Sequence, residues 1–433
     1  MSQDCNEDGA TNVQSRRPNH LMRLIVTAIA VFAVSSARVA AQPTVAFTNG
    51  SWFNGREFES RVMYSVNGRF ATERPATIDT TIDLQGGYVV PPFGEAHNHN
   101  IEGSSRTDAT LSRYIIEGIF YVMNPNNLPR SVTALGDRVN KPNAVEAIFA
   151  HGGLNVTGGH PYDLVQRNIG RGSWQPDDGE GAFYHSIDDR AALDVKWPKI
   201  VAGKPDFIKI YLLFSNEYER RRNDTAVRGM KGLDPSLVPD IVRRAHDAGL
   251  RVGAHIENVH DFRTAVQAGV DMIMHMPGYG WLGSGDSTQF VLGEGDAVEA
   301  ARRGTSVLTT LAFGQRANGP GQTPLQVRRN ALNAANLRTL KAAGVRLAIG
   351  SDNYGATSRS EALYLSDLGV FTNLELLKLW SEATPTLIFP NRRFAALRDG
   401  YEASFVVLAA DPLQDFANVQ RVLRRVKQGH LLR

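Results

Sequence analysis

LRVGAHIENVHDFRTAVQAGVDMIMHM, residues 250–276, packs a strand, a helix and a second strand into one short stretch. The run LRVGAHIE at 250–257 is apolar enough to lie inside a sheet. Phe262, Ala265 and Val266 then share one helical face, Gly269 stops the helix, and VDMIMHM begins the next strand. Upstream, Asp234 reads as a helix cap with Pro235 in the first turn. Leu237, Ile241, Ala245 and Ala248 continue that helix to Gly249. Downstream, a third helix leads into GVRLAIGSD at 344–352. Helices alternating with strands at this pitch predict a parallel α/β architecture. The stretch 93–385 has the length of an eight-stranded (β/α)8 TIM-like barrel. Outside it, 43–92 and 401–433 alternate apolar and polar residues between turn glycines, as in TIDLQGGYVV at 81–90 and ASFVVLAADPL at 403–413, and read as strands.

Composition narrows the chemistry. Of 433 residues, 42% are hydrophobic and 21% charged, an ordinary globular balance. A net charge of +3 without a basic, aromatic-rich stripe argues against nucleic acid as a partner. Arg220-Arg221-Arg222 is followed at once by Asp224 and reads as a solvated loop. Cys5 is the only cysteine, so an internal disulfide, a thiol nucleophile in the core and cysteine-ligated zinc are set aside. LIVTAIAVFAV at 24–34 is too short to span a bilayer comfortably. With Arg23 before it and Val39-Ala40-Ala41 after it, segment 1–41 reads as a signal peptide cleaved before Gln42. A buried core helix is the competing reading. The polar stretch 1–21 implies either a start at Met22 or a long leading region. The expectation is a secreted or periplasmic protein with no stable membrane anchor after cleavage; its oligomeric state is left open.

Several chemistry-bearing residues fall at the ends of apolar strands, where a barrel places its active site. His97 and His99 follow YVVPPFGEA and, two apart in extended chain, share a face. His255 ends VGAH, His275 lies in DMIMHM, and Asp352 ends LAIGSD. Lys209 stands inside DFIKIYLLF, where an uncompensated ammonium is costly. Singly each has a bland explanation, and for Lys209 it is a snorkelling side chain. Together they form a ligand set of nitrogen and oxygen donors.

GEAHNHN, DFIKIYL, VGAHIEN, DMIMHMP and AIGSDNY resemble the motifs of the amidohydrolase superfamily, most nearly its imidazolonepropionase and prolidase-like branch. That resemblance covers nearly all of 43–433. It implies a barrel at 93–385 and a small β-sandwich domain from both chain ends, 43–92 plus 386–433. Ala403-Ser404 stands where such proteins often carry Ala-Asp, and Asn98 and Asn100 depart from the usual first motif. The resemblance also implies two divalent metal ions, zinc by preference, with manganese or cobalt also suited. His97, His99 and Asp352 would hold one, His255 and His275 the other, and Lys209 would bridge them as a CO2-derived carbamate. A metal-bridging hydroxide would attack the carbonyl of an amide or dipeptide bond in a small-molecule substrate, with Asp352 as proton shuttle.

His160, in LNVTGGHPYD beside two glycines, resembles a substrate-contacting and catalytic histidine of such enzymes. Tyr218, just past the lysine strand, is a candidate for a substrate carboxylate. His246 and His260 lie on helices and read as structural. The competing functions are a one-metal deaminase or cyclic-amide hydrolase of the same superfamily, and a non-catalytic secreted binding protein. A deaminase would carry glutamate three residues past His255, where Asn258 stands, with Glu257 one residue earlier. GYGWLG at 278–283 matches a dinucleotide fingerprint, but no clean helix follows it. No serine elbow and no phosphate loop occur in the chain. Loops such as 166–204, which would set specificity, match no readable pattern.

Overall fold

The two chain ends meet in one seven-stranded sheet. A computed structural model describes residues 42–101, 107–317 and 323–432. The expected signal segment lies outside these residues. The N-terminal portion supplies β1 (Val45–Phe53), β2 (Phe58–Val66), β3 (Arg69–Ala71) and β4 (Thr80–Val90). After the short β5 (Phe93–Glu95) come β6 (Ile119–Asn124), β7 (Glu146–Phe149), β8 (Gly153–Asn155), β9 (Tyr184–Ser186), β10 (Phe207–Tyr211), β11 (Arg251–His255), β12 (Met272–Ile273), β13 (Ser306–Leu308) and β14 (Leu347–Ala348). The chain closes on β15 (Phe405–Leu408), β16 (Val422–Lys427) and β17 (His430–Leu432). The terminal sheet runs β17-β16-β15-β4-β1-β2-β3. Phe405 cements it: its ring meets Phe47 at 4.9 Å, Trp52 at 5.1 Å and Phe70 at 6.0 Å.

Between the ends lies the expected parallel α/β architecture. One sheet runs β5-β6-β7 and the other β14-β13-β12-β11-β10-β8-β9, all parallel. Backbone hydrogen bonds cross between the sheets, among them Ala96 N to Ile349 O at 2.9 Å and Asp206 N to Phe149 O at 2.8 Å. Such strands are buried on both faces, which is why FIKIY is covered at every position, Lys209 included. The helices follow the sequence signals. Asp234 caps the 3-10 turn Pro235–Leu237, which runs into the helix Val238–Asp247. Asn258 caps Val259–Ala268, and Gly269 ends it at φ 84°. Segment 166–204, expected as loop, carries the helix Arg190–Ala202 and β9, which extends the sheet beyond β8.

Candidate metal centre

All six expected ligands lie at, or lead to, the C-terminal ends of the parallel strands. His97 and His99 follow β5, His255 is the last residue of β11, His275 follows β12 and Asp352 follows β14. Lys209 lies inside β10, paired in register with Gly253 of β11. Gly350 makes the convergence possible, because a Cβ there would meet His97 Cβ at 2.7 Å. Asp352 N and Ser351 N both donate to His97 O, at 2.7 and 3.0 Å. The buried Glu95 carboxylate accepts from Ser351 N at 2.8 Å and Ser351 Oγ at 2.9 Å. Asn98 donates to the same hydroxyl at 2.7 Å, and Asn100 Nδ2 to Ala356 O at 2.6 Å. The two asparagines that depart from the usual motif therefore tie the β5 end to the β14 end.

Hydrogen bonds orient the rings. His97 Nδ1 donates to Met274 O at 2.9 Å and His99 Nδ1 to Asn126 O at 3.2 Å, since a carbonyl only accepts. His275 Nδ1 pairs with Thr310 Oγ1 at 2.9 Å. Each Nε2 is thus turned to the centre, and all three reach the same carboxylate. Asp352 oxygens lie 3.7 Å from His97 Nε2, 3.5 Å from His99 Nε2 and 3.9 Å from His275 Nε2. Two ligand atoms each about 2.1 Å from one cation stand roughly 3–4 Å apart, so this spacing suits metal ligation. The donors of His97, His275 and Asp352 lie within 4.8 Å of one another. His97 Nε2 is sealed from solvent and has no hydrogen-bond partner, a costly state unless it ligates. The residues present fit a divalent cation.

The electrostatics agree. Burial first, then the Lys209 charge, holds His97 well below the ordinary histidine range. Burial likewise depresses His255 and His275, with neighbouring histidines adding to it. Neutral imidazoles are what a metal needs. Burial brings Lys209 down to about 7, against the pull of Asp352. Asp352 and Thr310 adopt φ 42° and 48°, unusual for residues other than glycine, and both face the histidines.

His160 belongs to the same cluster. Its ring stacks on His255 at 4.7 Å and lies 5.2 Å from Tyr211. Gly159 lets the chain turn there, since a Cβ would meet Asn155 Oδ1 at 2.2 Å. Burial, then Lys209, lowers His160 to about 4, against the opposing influence of the Gly229 backbone. Tyr218 begins the helix Tyr218–Arg221 beyond β10, and the Arg222 guanidinium lies 5.8 Å over its ring. Asn258 caps its helix by accepting from Asp261 N at 2.9 Å and donates to Asn216, so it does not stand in for a deaminase glutamate. Glu257 instead reaches His255 Nε2 at 3.3 Å. His246 pairs with Asp271 at 2.9 Å. Sequence reading missed Tyr279, whose ring stacks on His275 at 4.0 Å. Its signal was available: it is the tyrosine of GYGWLG, four residues past that histidine.

No family model and no curated protein matches the chain. Solved structures do match its fold. A prolidase complexed with N-methylphosphonate-L-proline aligns with a TM-score of 0.68 at 18% identity, covering 90% of this chain and 99% of that one. The ochratoxinase of A. niger aligns with a TM-score of 0.68 at 17% identity, over 90% and 95%. A Xaa-Pro dipeptidase with bound methionine gives 0.66 at 16% identity, over 90% and 99%. The chain therefore has the fold of amidohydrolases, with its histidine-aspartate centre at the strand ends. Among these neighbours are prolidase-like proteins, the branch that the sequence motifs resemble.

Proposed function

We propose that the protein is an exported, metal-dependent hydrolase of amide or dipeptide C–N bonds, built on a (β/α)8 barrel closed at the two seams between its parallel sheets. The observation that carries this reading is the convergence of three Nε2 atoms on Asp352, one of them orphaned in the interior. His97, His99 and Asp352 would hold one cation and His255 and His275 a second. Lys209, carboxylated by CO2, would supply the bridging anion that keeps two dications together. When bound, the cations supply a hydroxide nucleophile near neutral pH and polarise the scissile carbonyl.

The protein's own residues do the rest. Asp352 accepts the nucleophile's proton and returns it to the leaving nitrogen. His160, held neutral by burial, offers one unprotonated ring nitrogen as an acceptor for a substrate N–H. The stacked rings of Tyr279 and His275 keep water from one wall of the centre. The test is a panel of dipeptides and N-acyl amino acids, scored by amine release, on metal-loaded and chelator-treated protein. Release that needs metal supports the reading. No release from metal-replete protein across the panel rejects it.

A further inference from the structure

The end of β11 repeats the spacing found after β5. His97 and His99 stand two apart, and so do His255 and Glu257, with the fully buried Ile256 between them. Residues two apart in extended chain share a face. Here the shared face is realised in contact, because Glu257 Oε1 lies 3.3 Å from His255 Nε2. The backbone fixes this placement from two sides. Glu257 N donates to Asp261 at 3.1 Å, in the first turn of the following helix, and Glu257 O accepts from Gly278 N at 3.0 Å, three residues past His275.

The carboxylate of Glu257 is otherwise unaccounted for. Its neighbours among the buried acids are satisfied by donors: Glu95 by Ser351 N and Oγ, Asp261 by Phe214 N and Ser215 N, Glu361 by Leu311 N at 2.9 Å and Ala312 N at 2.5 Å. Among the described residues, Glu257 accepts from no backbone N–H and no hydroxyl, and no lysine or arginine pairs with it. Arg221, whose charge favours the carboxylate, is committed to Glu217 at 2.5 Å. The Glu257 side chain is 16% exposed, and a carboxylate so far withdrawn from water is costly without a cation beside it. His255 supplies none, since burial and its neighbours keep the ring neutral. His255 is also not one of the donors gathered by His97, His275 and Asp352. Its spacing of 3.3 Å from Glu257 is that of two ligands on one cation.

We propose that Glu257 is a seventh metal ligand, a carboxylate that holds the second divalent cation beside His255. This rests on the metal-dependent reading above and adds to its ligand set a residue that the sequence motifs do not supply. The second position then carries a charged oxygen donor of its own, besides the bridging group on Lys209, and is better suited to manganese than imidazoles alone would make it.

The test is metal binding by the full-length protein, stripped and then titrated with zinc(II), manganese(II) or cobalt(II), with bound metal counted by elemental analysis. Wild type should take up two cations. Glu257→Gln, which keeps the shape and removes the charge, should retain the first and bind the second at least about tenfold more weakly, since losing even an outer partner of a ligand costs that much. The loss should be greater for manganese than for zinc. The absorption of bound cobalt should change in the variant only as the second equivalent is added. Stripped Glu257→Gln should melt at or above stripped wild type, because it lacks an unpaired buried carboxylate. A large fall in that melting temperature would assign Glu257 a structural role and overturn the proposal. Two cations held with wild-type affinity by Glu257→Gln would also overturn it, even if its KM rose, and so would uptake of fewer than two by wild type. If the second cation weakens as expected while no compound of the amide panel releases amine, the hydrolase reading falls and the ligand assignment stands.

Discussion

Asp352 holds φ 42° because its own N–H, that of Ser351 and the close approach at Gly350 fix the chain against His97. Asparagine tolerates this backbone region nearly as well as any non-glycine residue, so Asp352→Asn changes charge and basicity with little strain. Turnover should fall at least about 10²–10⁴-fold, the usual worth of a general acid–base group. Bound metal should fall less, and the melting temperature should hold. Near-wild-type kcat in a metal-replete Asp352→Asn protein would end the proton-shuttle assignment. Lys209 gives the complementary case. With its amine brought down to about 7 by burial, the neutral form that reacts with CO2 gains population as pH rises through neutrality. Uptake of metal by stripped protein in bicarbonate should rise over the same range, and Lys209→Ala should bind less metal at every pH. A short carboxylic acid should restore part of that uptake; undiminished uptake by the variant without the acid would remove Lys209 from the site. The ligand residues were legible because each interrupts or ends an apolar run. Thr310 was not, since what distinguishes it is a spatial neighbour, the His275 ring, rather than a position in a pattern.

At the level of elements, the loops that carry the centre are braced by one carboxylate. Asp261 sits in the first turn of Val259–Ala268 and is fully buried. It accepts from Phe214 N at 2.9 Å, Ser215 N at 2.7 Å and Ser215 Oγ at 2.6 Å, beyond β10. It also accepts from Glu257 N at 3.1 Å and Asn258 N at 3.2 Å, beyond β11. Asp261→Ala would strand five donors in the interior and should cost about 3–5 kcal/mol. Denaturant melts would measure it, and Asp261→Asn should recover only part. A loss below about 1 kcal/mol in the alanine variant would mean that water replaces the carboxylate there. The helix itself was visible in the sequence through Phe262, Ala265, Val266 and Gly269. The strand after it was visible only in outline. VDMIMHM is apolar apart from Asp271 and His275, yet the ladder takes just Met272 and Ile273, because the chain beyond them stays buried while it turns to present His275. Segment 166–204 was opaque for the opposite reason. Its helix Arg190–Ala202 buries only Leu193 and Ile200 and carries Pro198 inside, so no apolar stripe announces it.

Across the whole molecule, a buried charge network fastens the terminal sheet to the parallel strands. Lys427 of β16, fully buried, lies 2.9 Å from Glu146 at the start of β7. Arg392 pairs with that same carboxylate and with Glu402 at 2.6 Å. Lys427 also donates to the carbonyls of Lys141 and Ala144 at 2.9 and 2.6 Å. The strand character of both chain ends was readable from alternation, but this fastening was not, because its members lie far apart in sequence. Burial opposes ionisation of Glu146, yet Arg392 and Lys427 hold its carboxyl below the ordinary value of 4.5. A carboxyl depressed in the folded state stabilises fully above its unfolded value, and that contribution is lost as pH falls through the folded one. Glu146→Gln should therefore cost about 3 kcal/mol at neutral pH, the lower end for a broken buried pair because Arg392 keeps Glu402. The gap between wild type and variant should narrow as melts are taken into acid, below the ordinary value of 4.5 and through the lowered folded one, where wild type also carries a neutral group. Metal content per folded molecule should not change, since the network lies away from the histidines. A gap that stays constant with pH would show that Glu146 acts through packing, and a loss of metal would show that the terminal sheet shapes the centre directly.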